Sequence, residues 1–79
     1  AKIFVEVLEE GTPVFQGIES ERLAENIYRI GLPPFPYDPE DLVLRFVPGT
    51  VVRCEPHKLH AGKIGPLAVE QIDWPQNLP

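Results

Sequence analysis

The chain has 79 residues, one cysteine and a net charge of −5, which together exclude several classes of protein. A chain of this length forms one domain, predicted to span residues 1–79, and buries roughly 60% of its unfolded surface. One cysteine excludes an internal disulfide and favours a cytoplasmic location. No apolar run approaches the roughly 18–20 residues of a membrane span. The seven Lys and Arg residues are scattered among twelve acidic ones, which argues against nucleic acid or a membrane as partner and favours a basic protein.

Ten prolines and six glycines divide the chain into short apolar runs, a pattern typical of short strands joined by turns. The predicted fold is all-β: a small, strongly bent antiparallel sheet, or an SH3-like or OB-like barrel, of five to six short strands. Barrel closure is expected because it removes exposed strand edges. In chain order, the predicted strands are residues 2–8, 13–20, 27–30, 42–47, 50–55 and 65–72.

The first two predicted strands are characterised by the alternation of their side chains and by the positions of two glycines. Ile3, Val5 and Val7 share one face of the first strand, and Phe4, Glu6 and Leu8 share the other. Gly11 follows in a turn and is suited to positive φ. Gly17 lies inside the second strand, where it predicts a bulge or a sharp bend.

Two further turns are predicted. Residues 21–26 are expected to continue the second strand into a turn in which Asn26 adopts a left-handed conformation. Pro48-Gly49 fits the centre of a type II turn, so residues 42–47 and 50–55 are expected to form a hairpin. Residues 56–63 are predicted to be a turn or loop, and residues 73–79 an irregular tail that Trp74 pins to the body.

Residues 31–41 form the one long irregular segment, a Pro-rich acidic loop. Its four prolines exclude a helix and a central strand, and favour local polyproline II structure. A stiff loop that loses little entropy on docking suits protein recognition. The alternative is that its aromatic residues fold back and cap the barrel. The candidate interaction surface consists of Phe35, Tyr37, Asp38, Glu40 and Asp41.

A short segment carries Cys54, His57 and His60, residue types that can bind zinc. Four ligands are needed for a tetrahedral site, and no second cluster supplies the fourth. In an extended strand, these positions also alternate between faces. The favoured interpretation is therefore a buried apolar cysteine and two solvated turn histidines, with no metal and no cofactor.

The sequence offers no catalytic constellation. A Cys–His nucleophilic pair would lack an orienting third group. The acidic pairs Glu9-Glu10 and Glu40-Asp41 could act as glycosidase carboxylates, but 79 residues barely build a core, let alone a substrate cleft. The chain is predicted not to be an enzyme.

Two segments carry a resemblance. The first is Val5-Glu6-Val7-Leu8-Glu9-Glu10-Gly11-Thr12-Pro13-Val14-Phe15, and the second is Phe46-Val47-Pro48-Gly49-Thr50-Val51-Val52-Arg53-Cys54-Glu55. In this order they resemble a widespread group of short, uncharacterised bacterial proteins, many of which carry Trp where this chain has Phe15. The resemblance covers roughly residues 3–70. It implies a free-standing bacterial cytoplasmic protein and carries over no activity or functional residue.

These observations lead to one main functional prediction and two alternatives. The main prediction is a non-enzymatic protein-interaction or regulatory module, such as an immunity-type protein, that binds a basic partner. One alternative is a structural homo-oligomer. The other is a nucleic-acid-associated barrel that uses a local basic face, formed by Arg45, Arg53, Lys58 and Lys63.

Overall fold

The computed structural model describes residues 1–59 and 62–74, in which the chain forms six strands and no α-helix. The strands are β1 (Lys2–Val7), β2 (Val14–Glu19), β3 (Glu21–Ala24), β4 (Ile27–Arg29), β5 (Val51–Lys58) and β6 (Ile64–Gln71). They form one sheet in the order β2-β1-β6-β5-β4-β3, curled into a half-barrel. The prediction of a small, bent all-β fold is confirmed. Neighbouring strands are antiparallel except for β1 and β6, which are parallel.

The core lies on one face of this sheet, called here the core face. The predicted alternation in β1 is confirmed, because Ile3, Val5 and Val7 are all buried, and Ile18 of β2 lies opposite Ile3. Burying a side chain of this size contributes about 1.5–3 kcal/mol to stability. The rest of the buried cluster comprises Ile30, Leu44, Val52, Cys54 and Ala68.

Ser20 forms the corner at which β2 turns into β3. Its hydroxyl donates a hydrogen bond to the Ile18 carbonyl and accepts one from the Gly31 amide, both at 3.2 Å, and its own amide donates to the Ala1 carbonyl at 2.8 Å. Gly31 approaches the corner so closely that a Cβ on it would overlap the Glu19 carbonyl oxygen. Since β2 and β3 are the two edges of the sheet, this corner brings both edges together.

The predicted turns are present. Gly11 has φ of 74° and Asn26 has φ of 63°, and Asn26 ends the short β3 extension that was expected in residues 21–26. Gly49 has φ of 91°, and the Thr50 amide donates to the Val47 carbonyl at 3.2 Å. Both features are those of a type II turn at Pro48-Gly49.

The strand predicted at residues 42–47, and its hairpin with residues 50–55, are wrong. The segment makes only one bridge, between Leu44 and Val7 of β1. It has no β5 edge to pair with, because β4 and β6 occupy the two sides of that strand. The alternation in the segment is nevertheless preserved, since Leu44 is buried and Arg45 is exposed.

The loop predicted at residues 56–63 is wrong in its first part, because β5 continues through Pro56 to Lys58. A proline is tolerated here because β4 pairs only with residues 51–53, so one side of β5 has no strand partner at Pro56. Residues 60–61, including His60, lie outside the described residues. The predicted tail is described only up to a half-buried Trp74, and residues 75–79 lie outside the described part.

The bulge predicted at Gly17 is also wrong, because Gly17 pairs with Phe4 in unbroken register. The ring of Phe4 explains the glycine instead. A Cβ on Gly17 would lie 3.2 Å from Phe4 Cε1, and a Cβ on Gly65 would lie 3.0 Å from Phe4 Cε2. Phe4 therefore occupies the space that two glycines leave on the face opposite the core.

We expect Gly31→Ala to lower the free energy of unfolding by about 2–4 kcal/mol, because the new methyl group collides with backbone that cannot move away. Gly17→Ala is the matched control. Its Cβ meets the ends of the Lys2 and Phe4 side chains, which can shift, so a smaller loss is expected. Urea unfolding of both variants measures the difference. Equal losses would contradict the role given to the Ser20 corner.

Candidate functional site

The Pro-rich loop of residues 31–41 is anchored to the body at defined points. Pro33 is buried, and Tyr37 and Leu42 are partly buried against the core cluster. The Asp38 carbonyl accepts hydrogen bonds from the amides of Asp41 and Leu42, both at 3.0 Å. The Asp38 carboxylate accepts a further bond from the Glu40 amide at 2.9 Å. The loop therefore has a fixed turn at its acidic end.

The two aromatic residues of the loop, Phe35 and Tyr37, differ in burial, so that recognition and capping apply to different residues. Tyr37 packs against the core and matches the capping interpretation. Phe35 is 42% exposed between two prolines, and Leu32 is 74% exposed. Two apolar side chains of the loop thus remain available at the surface.

The carboxylates of the loop differ from those of the sheet. On the sheet, Glu6 pairs with Arg45, Glu21 with Arg29, and Glu55 and Glu70 with Arg53. In the loop, Asp38, Glu40 and Asp41 are exposed, and none of them makes an ion pair with the part of the chain that the structure describes. The loop therefore presents carboxylates whose charge is not balanced locally.

The basic face proposed for nucleic acid does not form as expected. Arg45 and Arg53 could form the centre of that face only if they shared one side of the predicted hairpin, and that hairpin does not form. The Arg53 guanidinium lies 3.0 Å from Glu70 and 3.2 Å from Glu55, and the hydrogen bond to Glu70 raises the pKa of Arg53. Arg45 lies 3.8 Å from Glu6 and covers the ring of Phe46. Both arginines are thus engaged by side chains of the same chain.

Cys54 and His57 lie on different faces of β5. Cys54 is buried in the core, as the sequence predicted. His57 is exposed and lies within β5 rather than in a turn, and its ring centroid is 5.7 Å from that of Phe15. The third residue of that cluster, His60, lies outside the described residues. No group of three or more potential metal ligands occurs in the described ranges, 1–59 and 62–74.

A second surface was not predicted from the sequence. On the face opposite the core, called here the aromatic face, Phe4, Phe15 and His57 lie together. Phe15 and His57 border a cleft of about 400 Å³, called here the lysine cleft, which is lined by Pro13, Phe15, His57, Lys58 and Leu59. The signal was present in the alternation, since Phe4 in β1 and Phe15 in β2 both oppose the buried positions of their strands.

Comparison of the chain with family models, curated proteins and solved structures finds no match in any of them. The resemblance to short bacterial proteins therefore stays a prediction. Among the residues that the structure describes, no helix has the length and apolar character needed to span a bilayer.

We expect Tyr37→Phe to raise the free energy of unfolding by about 0.5–2 kcal/mol. The Tyr37 hydroxyl oxygen is buried and has no hydrogen-bond partner in the described structure, and burying such a group costs free energy. Tyr28→Phe, at the chain's other tyrosine, is the control. Thermal and urea unfolding measure both variants. A loss of stability specific to Tyr37→Phe would contradict the assignment of an unsatisfied hydroxyl.

Cys54 makes stability depend on pH. Burial raises the pKa of its thiol from 9.0 to about 11, while the nearby charge of Arg53 opposes the shift. Between these values the unfolded thiol ionises and the folded thiol does not, so the folded state binds more protons and stability falls as pH rises. We expect the free energy of unfolding, measured in urea, to fall more for the wild type than for Cys54→Ala between about pH 9 and pH 11. Parallel pH profiles would contradict this.

Proposed function

We propose that this chain is a non-enzymatic protein-interaction module that binds a basic partner through residues 31–41. One observation carries the proposal: an anchored loop presents an exposed Phe35 beside three exposed carboxylates without ion pairs in the described structure. Such a surface combines an apolar anchor with charges that favour a cationic partner.

The anchoring supports the proposal energetically. Ordering a side chain on binding costs about 0.5–1.5 kcal/mol, and this cost falls when the loop is already held in place. Pro33 is buried, Tyr37 packs on the core, and the backbone of Asp38 closes the turn. The loop therefore needs little rearrangement to bind.

The charge distribution supports a basic partner over an acidic one. Three of the four arginines in the chain pair with sheet carboxylates. The loop carboxylates keep their full charge for steering a cationic surface, an effect that salt weakens. A small regulator or immunity-type protein that neutralises a basic partner fits this arrangement. The proposal includes a cytoplasmic location, which a single free and buried thiol supports.

The test is a pulldown from native cell lysate at low salt with mass spectrometry. We expect the wild type to recover a basic protein in stoichiometric amount, and Glu40→Lys/Asp41→Lys to reduce recovery about tenfold or more, since each reversed contact costs on the order of 1 kcal/mol. These positions leave the Asp38 carboxylate that closes the turn unchanged.

Glu25→Lys is the matched control, because Glu25 is exposed in the β3–β4 turn and makes no ion pair with the described residues. It should leave recovery unchanged. Phe35→Ala should weaken recovery at both low and high salt, because the apolar anchor is not screened. If the charge-reversed loop retains the same bound protein as the wild type, the proposal is wrong.

A further inference from the structure

The lysine cleft lies between the start of β2 and the end of β5. Its described lining comprises Pro13 and Phe15 from one side and His57, Lys58 and Leu59 from the other. Leu59 also reaches the centre of this face, since a Cβ on Gly65 would lie 2.8 Å from Leu59 Cδ1 and 3.0 Å from the Phe4 ring. A partly open, mostly apolar cleft of about 400 Å³ has room for an aromatic side chain.

One lysine lines the cleft, and the backbone of a second lies next to it. Lys58 lines the cleft directly, and the Lys63 carbonyl accepts a hydrogen bond from the amide of Leu59. The stem of Lys2, the third lysine of the chain, lies beside Phe4 over Gly17 on the same aromatic face. All three are exposed, and none makes an ion pair with residues 1–59 or 62–74. The cleft therefore combines an exposed lysine with two aromatic rings on an acidic protein.

We propose that the lysine cleft binds the 31–41 loop of a second copy of this chain. The proposal rests on the proposed function of that loop: the same side chains that bind a basic protein also bind a local cationic patch on a second copy of this acidic chain. Phe35 of one copy enters the cleft of the other, where Phe15 and His57 provide aromatic contacts. The loop carboxylates Glu40 and Asp41 of one copy then face Lys58 and Lys63 of the other, so that charges of opposite sign meet.

The loop cannot occupy its own cleft, because the two lie on opposite faces of the sheet. Tyr37 and Leu42 pack against the core cluster, whereas Phe4 and Phe15 lie on the aromatic face. The contact is therefore between different patches of two molecules. Such a head-to-tail contact leaves one loop and one cleft free at the ends, so association continues with concentration unless the ring closes.

Sedimentation velocity and light scattering of the purified full chain test this. We expect the mean mass to rise with concentration at low salt and to fall at high salt. Glu40→Lys/Asp41→Lys, which alters the loop, and Lys58→Glu/Lys63→Glu, which alters the cleft, should each remain monomeric. Glu25→Lys and Arg22→Glu reverse exposed charges elsewhere and should associate like the wild type.

The decisive measurement uses a mixture in which one protein has an intact cleft and the other an intact loop. Mixing Phe35→Ala/Glu40→Gln/Asp41→Asn, which keeps only the cleft, with Lys58→Gln/Lys63→Gln, which keeps only the loop, should restore association that stops at a one-to-one dimer of twice the 8.9 kDa chain mass. The neutral substitutions ensure that the altered loop is not attracted to the altered cleft. Adding the three loop substitutions to Lys58→Gln/Lys63→Gln removes both surfaces, and this control should give no complex. A closed, symmetric contact would not give this pattern.

Several outcomes overturn the inference. They are a wild type that stays monomeric at every concentration and salt, self-association that neither charge reversal changes, and a cleft that binds a single-stranded oligonucleotide through its lysines without self-association. The lysate pulldown separates this failure from failure of the proposed function. A basic protein that is lost with the loop variant, while the purified chain is monomeric, would leave the loop's role standing.

Discussion

The Ser20 corner is the constraint on which the rest of the sheet depends. A hydroxyl that donates to Ile18 and accepts from Gly31 lets the chain leave β2 and enter β3 with a single residue between them. Because those two strands form the opposite edges of the sheet, one chain segment holds both. The curl that encloses the core on one face depends on this bend. Gly31 makes it possible by leaving room for the Glu19 carbonyl oxygen.

Charge pairing within the sheet determines which charges remain for binding. The net charge of −5 suggests a uniformly acidic surface, but the structure distributes it unevenly. Arginines neutralise glutamates of the sheet, and these exposed pairs add little stability. Their main effect is to remove both partners from the surface potential. The charges without an ion pair in the described residues include the carboxylates of the loop beside Phe35 and Lys58 beside Phe15, and these two surfaces are complementary.

Features that depend on residues close together in the chain could be predicted from the sequence, whereas the pairing of strands could not. The alternation of Ile3, Val5 and Val7, and the turn at Asn26, depend on the residues themselves and were predictable. The parallel pairing of β1 with β6, the continuation of β5 past Pro56 and the bridge of the 42–47 segment to β1 depend on which edges remain free after folding. The same limit applies to the loop. Phe35 and Tyr37 sit among similar prolines, and only tertiary packing decides that one is buried and the other is presented.

Phe4 and the two glycines beneath its ring have a consequence for how this sequence can vary. The Phe4 ring covers Gly17 in β2 and Gly65 in β6, the strands on either side of β1. A larger residue at either glycine displaces the Phe4 ring and is better accommodated with a smaller residue at position 4, and a smaller residue at position 4 opens a cavity that a larger residue at a glycine position can fill. Three positions far apart in the chain therefore share one volume. In related sequences or in a selected library, changes at these positions are expected to be correlated.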